Sequence, residues 1–257
     1  MKRRITAKTV VYHSFSDDIV ESRNQEYKVP KTYQWVREDK FFRISSGILY
    51  RVAKLVGALY CKCFLHIRIK NRGAFKNCQN TGFFLFANHT QEIGDVFLPA
   101  WVARPKRIYT VASSANMGIP VIGRLLPALG ILPVPETIPQ MRQFQKALYQ
   151  RIREGCCVVI YPEAHVWPYY TKIRPFSDTS FRYPVEADVP SFCMTTTYQR
   201  RRFWKKPKAT VYIDGPFLAQ KGVHPKVSQK KLKEEILQCM EERSRMSDYD
   251  YIHYVRG

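Results

Sequence analysis

Phe83-Phe84-Leu85-Phe86-Ala87-Asn88-His89 is the stretch on which the fold turns. A short, unbroken apolar run of this kind reads as a strand buried on both faces, and Asn88-His89 are the polar residues delivered at its C-terminal end. Cys156 to Tyr161 repeats the pattern and ends in Pro162-Glu163. Two buried strands that each end in titratable residues place a candidate site along one rim of a sheet.

Outward from these strands, the pattern alternates. Val96 to Val102 reads as a helix, Arg107 to Ala112 as a strand, Gly118 to Leu129 as a turn with a short helix, and Gly130 to Val134 as a third strand. Met141, Phe144, Leu148 and Ile152 recur at helical spacing within a helix from Pro139 to Arg153, which Gly155 stops. Val189 to Thr196 and Ala209 to Ile213 read as strands and Lys230 to Arg243 as the last helix. Strands alternating with helices predict a single α/β layered domain with a mostly parallel sheet flanked by helices.

Before this unit, residues 1 to about 40 show no clear period and read as an irregular arm, and Met1 to Val20 lacks the apolar core of a secretory signal. Ile48 to Ile69 reads as an amphipathic helix, with Ile48, Leu49, Val52, Leu55, Val56 and Leu59 at helical spacing. Arg51, Lys54, Lys62, His66 and Arg68 interrupt it, so no transmembrane span is expected. Two readings remain for this helix: it lies in a membrane interface, or it docks on the protein's own core. The expected division is an arm and helix over 1–75 and the main domain over 76–257.

The 257 residues carry 42 Lys and Arg against 21 Asp and Glu, a formal charge of +21. Such a surface seeks phosphate, whether in nucleic acid, an anionic bilayer or a small molecule. Seven cysteines without a paired framework point to a reducing compartment.

Asn88-His89-Thr90-Gln91-Glu92-Ile93-Gly94-Asp95 offers a histidine with an acid nearby. A carboxylate on one ring nitrogen fixes the tautomer, so the other can take a proton from an alcohol. Either Asp95 or Glu92 could be that acid. No Gly-x-Ser-x-Gly elbow accompanies the histidine, so the nucleophile is expected to be a substrate hydroxyl. In Tyr161-Pro162-Glu163-Ala164, followed by Lys172 and Arg174, the glutamate could hold a hydroxyl or a cation, and Lys172 and Arg174 could clamp a phosphate.

Together these blocks resemble the glycerolipid acyltransferases that make phosphatidic acid from lysophosphatidic acid, over roughly residues 80 to 217. The family's Asn-His followed by an acid is matched by Asn88, His89 and Asp95, and its Phe-Pro-Glu-Gly by Tyr161, Pro162, Glu163 and Ala164. Gly118 to Arg124, Ala187 to Pro190 and Val211 to Pro216 are similar to further family segments. Here five residues stand between His and Asp where the family usually has four. Ala164 replaces the usual Gly, and Pro133 to Glu136 replace the expected Arg region.

The resemblance implies a glycerol-3-phosphate acyltransferase-like fold in which His89 is the base and Asp95 orients it. Asn88, Thr90, Arg124, Pro162, Glu163, Lys172 and Arg174 would form the substrate site, with Glu163 positioning the glycerol portion. It further implies a lysophospholipid acceptor in a membrane, acyl-CoA or acyl carrier protein as donor, no cofactor or metal, and a peripheral or monotopic place on the cytoplasmic face. The alternatives are a nucleic-acid-binding protein, for which Arg200-Arg201-Arg202-Phe203-Trp204-Lys205-Lys206 supplies cations and aromatics, or a membrane-associated protein without catalysis.

Overall fold

The computed structural model describes residues 8–20 and 27–257; residues 1–7 and 21–26 of the expected arm lie outside them. In chain order the strands are β1 (Lys8–Tyr12), β2 (Arg68–Lys70), β3 (Phe83–Ala87), β4 (Ile108–Ala112), β5 (Ile131–Pro133), β6 (Cys157–Ile160), β7 (Ser191–Gln199), β8 (Lys208–Phe217) and β9 (Ile252–Arg256). The helices are α1 (Lys40–Leu59), α2 (Gly94–Val102), α3 (Ile122–Leu125), α4 (Ile138–Arg153), α5 (Arg182–Ala187) and α6 (Pro225–Ser244).

Seven strands form one sheet in the order β2-β8-β7-β3-β6-β4-β5, parallel throughout except where β8 runs against β7. The mostly parallel α/β architecture is therefore as the sequence predicts. β3 and β6 lie side by side at its centre, Phe83 opposite Cys157 and Phe86 opposite Ile160.

Their unbroken apolar character has a direct cause in the layering. Phe83, Leu85, Cys157 and Val159 face the layer that contains Tyr50 of α1 with Leu98 and Val102 of α2. Phe84, Phe86, Val158 and Ile160 face the opposite layer, built by Phe144 and Leu148 of α4 with Ile236 and Met240 of α6. Side chains alternate across a strand, so covering both faces demands an apolar residue at every position.

The N-terminal part departs from expectation. Val29 and Trp35 enter the core, and the Trp35 indole N–H donates to the Pro133 carbonyl at 3.0 Å. β1 pairs in parallel with β9, Lys8 opposite Ile252, and β2 is an edge strand of the main sheet. Strands before residue 75 thus pair with strands after it.

The predicted helix from Ile48 to Ile69 begins and ends earlier. Asp39 caps α1 by accepting the Phe42 N–H at 2.7 Å, and a π-helical turn at Tyr60–Phe64 ends it. α1 packs inward through Ser46, Tyr50, Gly57 and Ala58, Gly57 sitting where any Cβ would come within 2.6 Å of Phe97 in α2. Its apolar stripe points the other way. Phe41, Ile44, Ile48, Val52, Leu55 and Leu59 are all exposed. Among the described residues no helix is long and apolar enough to cross a membrane.

Candidate active site

His89 leaves the end of β3, and bonds from β7 and from the loop after β6 fix the backbone around it. Asn88 lies one residue past the ladder and prolongs it: its side-chain amide donates to the Thr196 carbonyl at 3.0 Å and accepts the Thr196 N–H at 2.8 Å. The His89 N–H donates to Glu163 at 3.1 Å, and its carbonyl accepts the Trp167 N–H at 3.0 Å. The Thr90 carbonyl accepts the Tyr169 N–H at 2.8 Å, and the Thr90 hydroxyl meets the Tyr198 hydroxyl at 2.8 Å.

The ring is oriented as tightly as the backbone. Its Nδ1 lies 2.8 Å from Asp95 Oδ2, and this same oxygen accepts the N–H groups of Thr90 and Gln91, each at 2.9 Å. The extra residue between His89 and Asp95 is absorbed in the turn before α2, and Glu92 is left exposed. Asp95 stands in the first turn of α2, where the helix dipole favours a carboxylate. A Cβ at Gly94 would fall 1.8 Å from Gln91 Oε1, so a larger residue there would displace the Gln91 side chain.

Tyr161, which the sequence reading did not single out as a site residue, stacks on the imidazole at 4.2 Å between centroids with a 23° interplanar angle. Its hydroxyl donates to the Asp95 carbonyl at 2.7 Å. Its place at the end of β6, one pairing away from the end of β3, was the available signal.

The His89 side chain is 19% exposed and Asp95 1%. Among the described residues no side chain bonds Nε2. The arrangement is an oriented base whose free nitrogen can take a proton, with a carboxylate and an aromatic face beside the imidazolium that would form.

Several expected substrate contacts have other duties. Glu163 and Arg174 form an ion pair at 3.1 Å with both side chains wholly buried. The Glu163 carboxylate also accepts the N–H of Arg174 at 3.0 Å, and the Arg174 guanidinium donates to the carbonyls of Phe15 and His165. Arg174 is thus spent inside the protein and cannot reach a substrate phosphate. Glu163 likewise holds the His89 backbone and has no exposed oxygen for glycerol. Burial raises its pKa despite the opposing pull of Arg174. Asn88 and Thr90, 1% and 0% exposed, are spent on β7 in the same way.

Pro162 opens the turn that brings Glu163 back under His89, and Ala164 takes φ +65° there. That left-handed geometry is natural to glycine, which accounts for the residue type expected at this position. Lys172, on the loop leading to Arg174, and Arg124, on α3, are exposed cations.

No thiol at the site is primed for attack. Burial, with Asp95 adding to it, pushes the Cys61 pKa up to about 12. Cys193, Asp214 and Cys239 converge away from His89 in a way that could suit a metal. Asp214, however, is held twice by Arg243, at 2.9 and 2.5 Å.

A family model described as Acyltransferase matches residues 66–196, about half of the chain, and includes His89, Asp95 and Glu163. The fold is similar to that of the 1-acyl-sn-glycerophosphate (LPA) acyltransferase PlsC from Thermotoga maritima. The TM-score is 0.58 at 12% identity, over 84% of this chain and 86% of that one. No curated protein matches the chain. The chain belongs to the acyltransferase family and has the fold of a glycerolipid acyltransferase.

Proposed function

We propose that this acyltransferase moves a fatty acyl chain from a thioester, acyl-CoA or acyl carrier protein, to the hydroxyl of a lysophospholipid, with 1-acylglycerol-3-phosphate as the acceptor and phosphatidic acid as the product. The observation that carries the reading is the 2.8 Å contact of His89 Nδ1 with Asp95, which leaves Nε2 for the acceptor hydroxyl. Nε2 takes the hydroxyl proton as the oxygen attacks the thioester carbonyl. The tetrahedral intermediate then expels the thiolate, which recovers the proton from His89, and an ester and a free thiol leave. Asp95 and the Tyr161 ring stabilise the transient imidazolium. With Arg174 buried, Lys172 and Arg124 are the cations offered to the acceptor phosphate.

The same reading puts the protein on the cytoplasmic face of a membrane as a peripheral protein. The outward stripe of α1, from Phe41 to Leu59, would lie in the lipid interface. All seven cysteines are free, as suits that compartment. Incubating the purified protein with labelled acyl-CoA or acyl carrier protein and a panel of lysolipids tests the reading. A labelled diacyl phospholipid supports it and names the acceptor; no product from any donor and acceptor pair would overturn it.

A further inference from the structure

The β7–β8 hairpin carries Arg200 to Lys206 at its tip, and the topology decides where that tip points. β7 runs parallel to β3, with Ala87 opposite Met194, and continues to Gln199. At about 3.3 Å per residue, the tip stands roughly 16 Å past the end of β3. It projects from the same sheet edge that bears His89.

The tip is fixed on three sides. Its base is tied to the catalytic loop by Tyr198, whose hydroxyl meets Thr90. The Arg200 N–H donates to Asp248 at 2.8 Å, and the Arg201 guanidinium donates to the Leu65 carbonyl at 3.3 Å. The last bond brings the hairpin to the π-helical turn that ends α1, beside Phe64, which is 76% exposed.

What this braced tip presents is unusual for a solvated loop. Phe203 and Trp204 are 83% and 72% exposed, with Arg202 before them and Lys205 and Lys206 after them. The neighbouring strands add more positive charge. Lys208 is held below its ordinary pKa by burial and then by Arg68, Lys70 and Arg201. Aromatics flanked by cations match the boundary of an anionic bilayer, rings at the headgroup level and cations on phosphates.

We infer that the 200–206 hairpin tip is a second membrane contact, selective for anionic phospholipid, that together with the end of α1 seats the His89 edge of the sheet on the bilayer. The inference deepens the proposed reaction by naming the surface on which it runs, and it rests on that reading only for its purpose. Binding is read without turnover, so the two can fail separately.

Trp204 is the natural probe, because Trp35 and Trp167 are buried at 7% and 0% exposure, and half-buried Trp101 on α2 is replaced by Phe in every protein compared. The full chain is mixed with vesicles of brominated phosphatidylcholine, with or without phosphatidylglycerol, and tryptophan quenching is followed. Quenching in the anionic vesicles, lost in Trp204→Phe and reversed by high salt, is expected. The double variant Lys205→Ala/Lys206→Ala lowers partitioning on the order of thirtyfold. His89→Ala binds as wild type does, so loss of catalysis leaves this readout intact. Equal quenching in vesicles without phosphatidylglycerol would overturn the inference. So would no Trp204 quenching in either, or displacement from the vesicles by a single-stranded oligonucleotide or an acidic carrier protein at equal charge.

Discussion

Glu163 accepts the backbone N–H of His89 at 3.1 Å with the same oxygen that receives the guanidinium of Arg174. The glutamate after β6 therefore holds His89 from beneath, and the buried arginine acts through the glutamate. A pair so deep contributes little net stability, because burial penalises both charges. What it contributes is a single position for His89.

Removing Glu163 separates positioning from binding. Glu163→Ala leaves Arg174 buried without a counter-charge and costs about 3–5 kcal/mol of stability. Glu163→Gln keeps one acceptor but turns an amide N–H₂ toward a backbone N–H, at about 1–3 kcal/mol. In the glutamine variant kcat falls while KM for the acceptor changes little. A rise in KM with kcat unchanged would instead make Glu163 a substrate ligand.

Ala164 carries φ +65° in the turn after Glu163. Left-handed backbone costs a non-glycine residue about 1–2 kcal/mol, and glycine gives back about 0.4–1 of this through the unfolded chain. Ala164→Gly is expected to raise the melting temperature by a few degrees with activity kept. A lower melting temperature contradicts this.

Cys61 lies near Asp95, yet its pKa is pushed up to about 12. Since the thiolate is the reactive form, the raised value leaves almost none of it at neutral pH, and reactivity grows only as pH climbs toward that value. Iodoacetamide at neutral pH should modify exposed Cys63 and spare Cys61, with turnover retained. Inactivation that tracks Cys61 labelling would point to a thiol nucleophile.

Ile48, Val52 and Leu55 are 59%, 55% and 60% exposed on α1. Replacing all three with Ser should alter stability in water by no more than about 0.5 kcal/mol each. It should also abolish flotation with liposomes. A large fall in melting temperature, or undiminished flotation, would show that the stripe docks on protein.

The centre of the sheet was legible because β3 and β6 are covered on both faces, which leaves an unmistakable apolar run. His89 and its acid were legible as a pair. The choice between Asp95 and Glu92 was not, because it depends on how the turn before Gly94 absorbs one residue. The duties of Asn88, Glu163 and Arg174 were hidden for a different reason: each is set by a partner brought close only by the fold, as with Thr196 for Asn88 and Phe15 for Arg174. The parallel pairing of β1 with β9 joins opposite ends of the chain and leaves no local period. The outward direction of the α1 stripe was equally unreadable, since an amphipathic pattern shows that a helix has two faces and not which one the protein covers.

Single-turnover acyl transfer, with acyl thioester and lysolipid bound to wild type, His89→Ala and Asp95→Asn, tests the central claim most directly. The account predicts that His89→Ala slows the chemical step by about 10²–10⁴-fold, the usual scale for a lost general base, with donor and acceptor binding unchanged. Asp95→Asn should slow it as well, since the ring loses its orienting charge. Transfer by His89→Ala at the wild-type rate would contradict the assignment of His89 as the base.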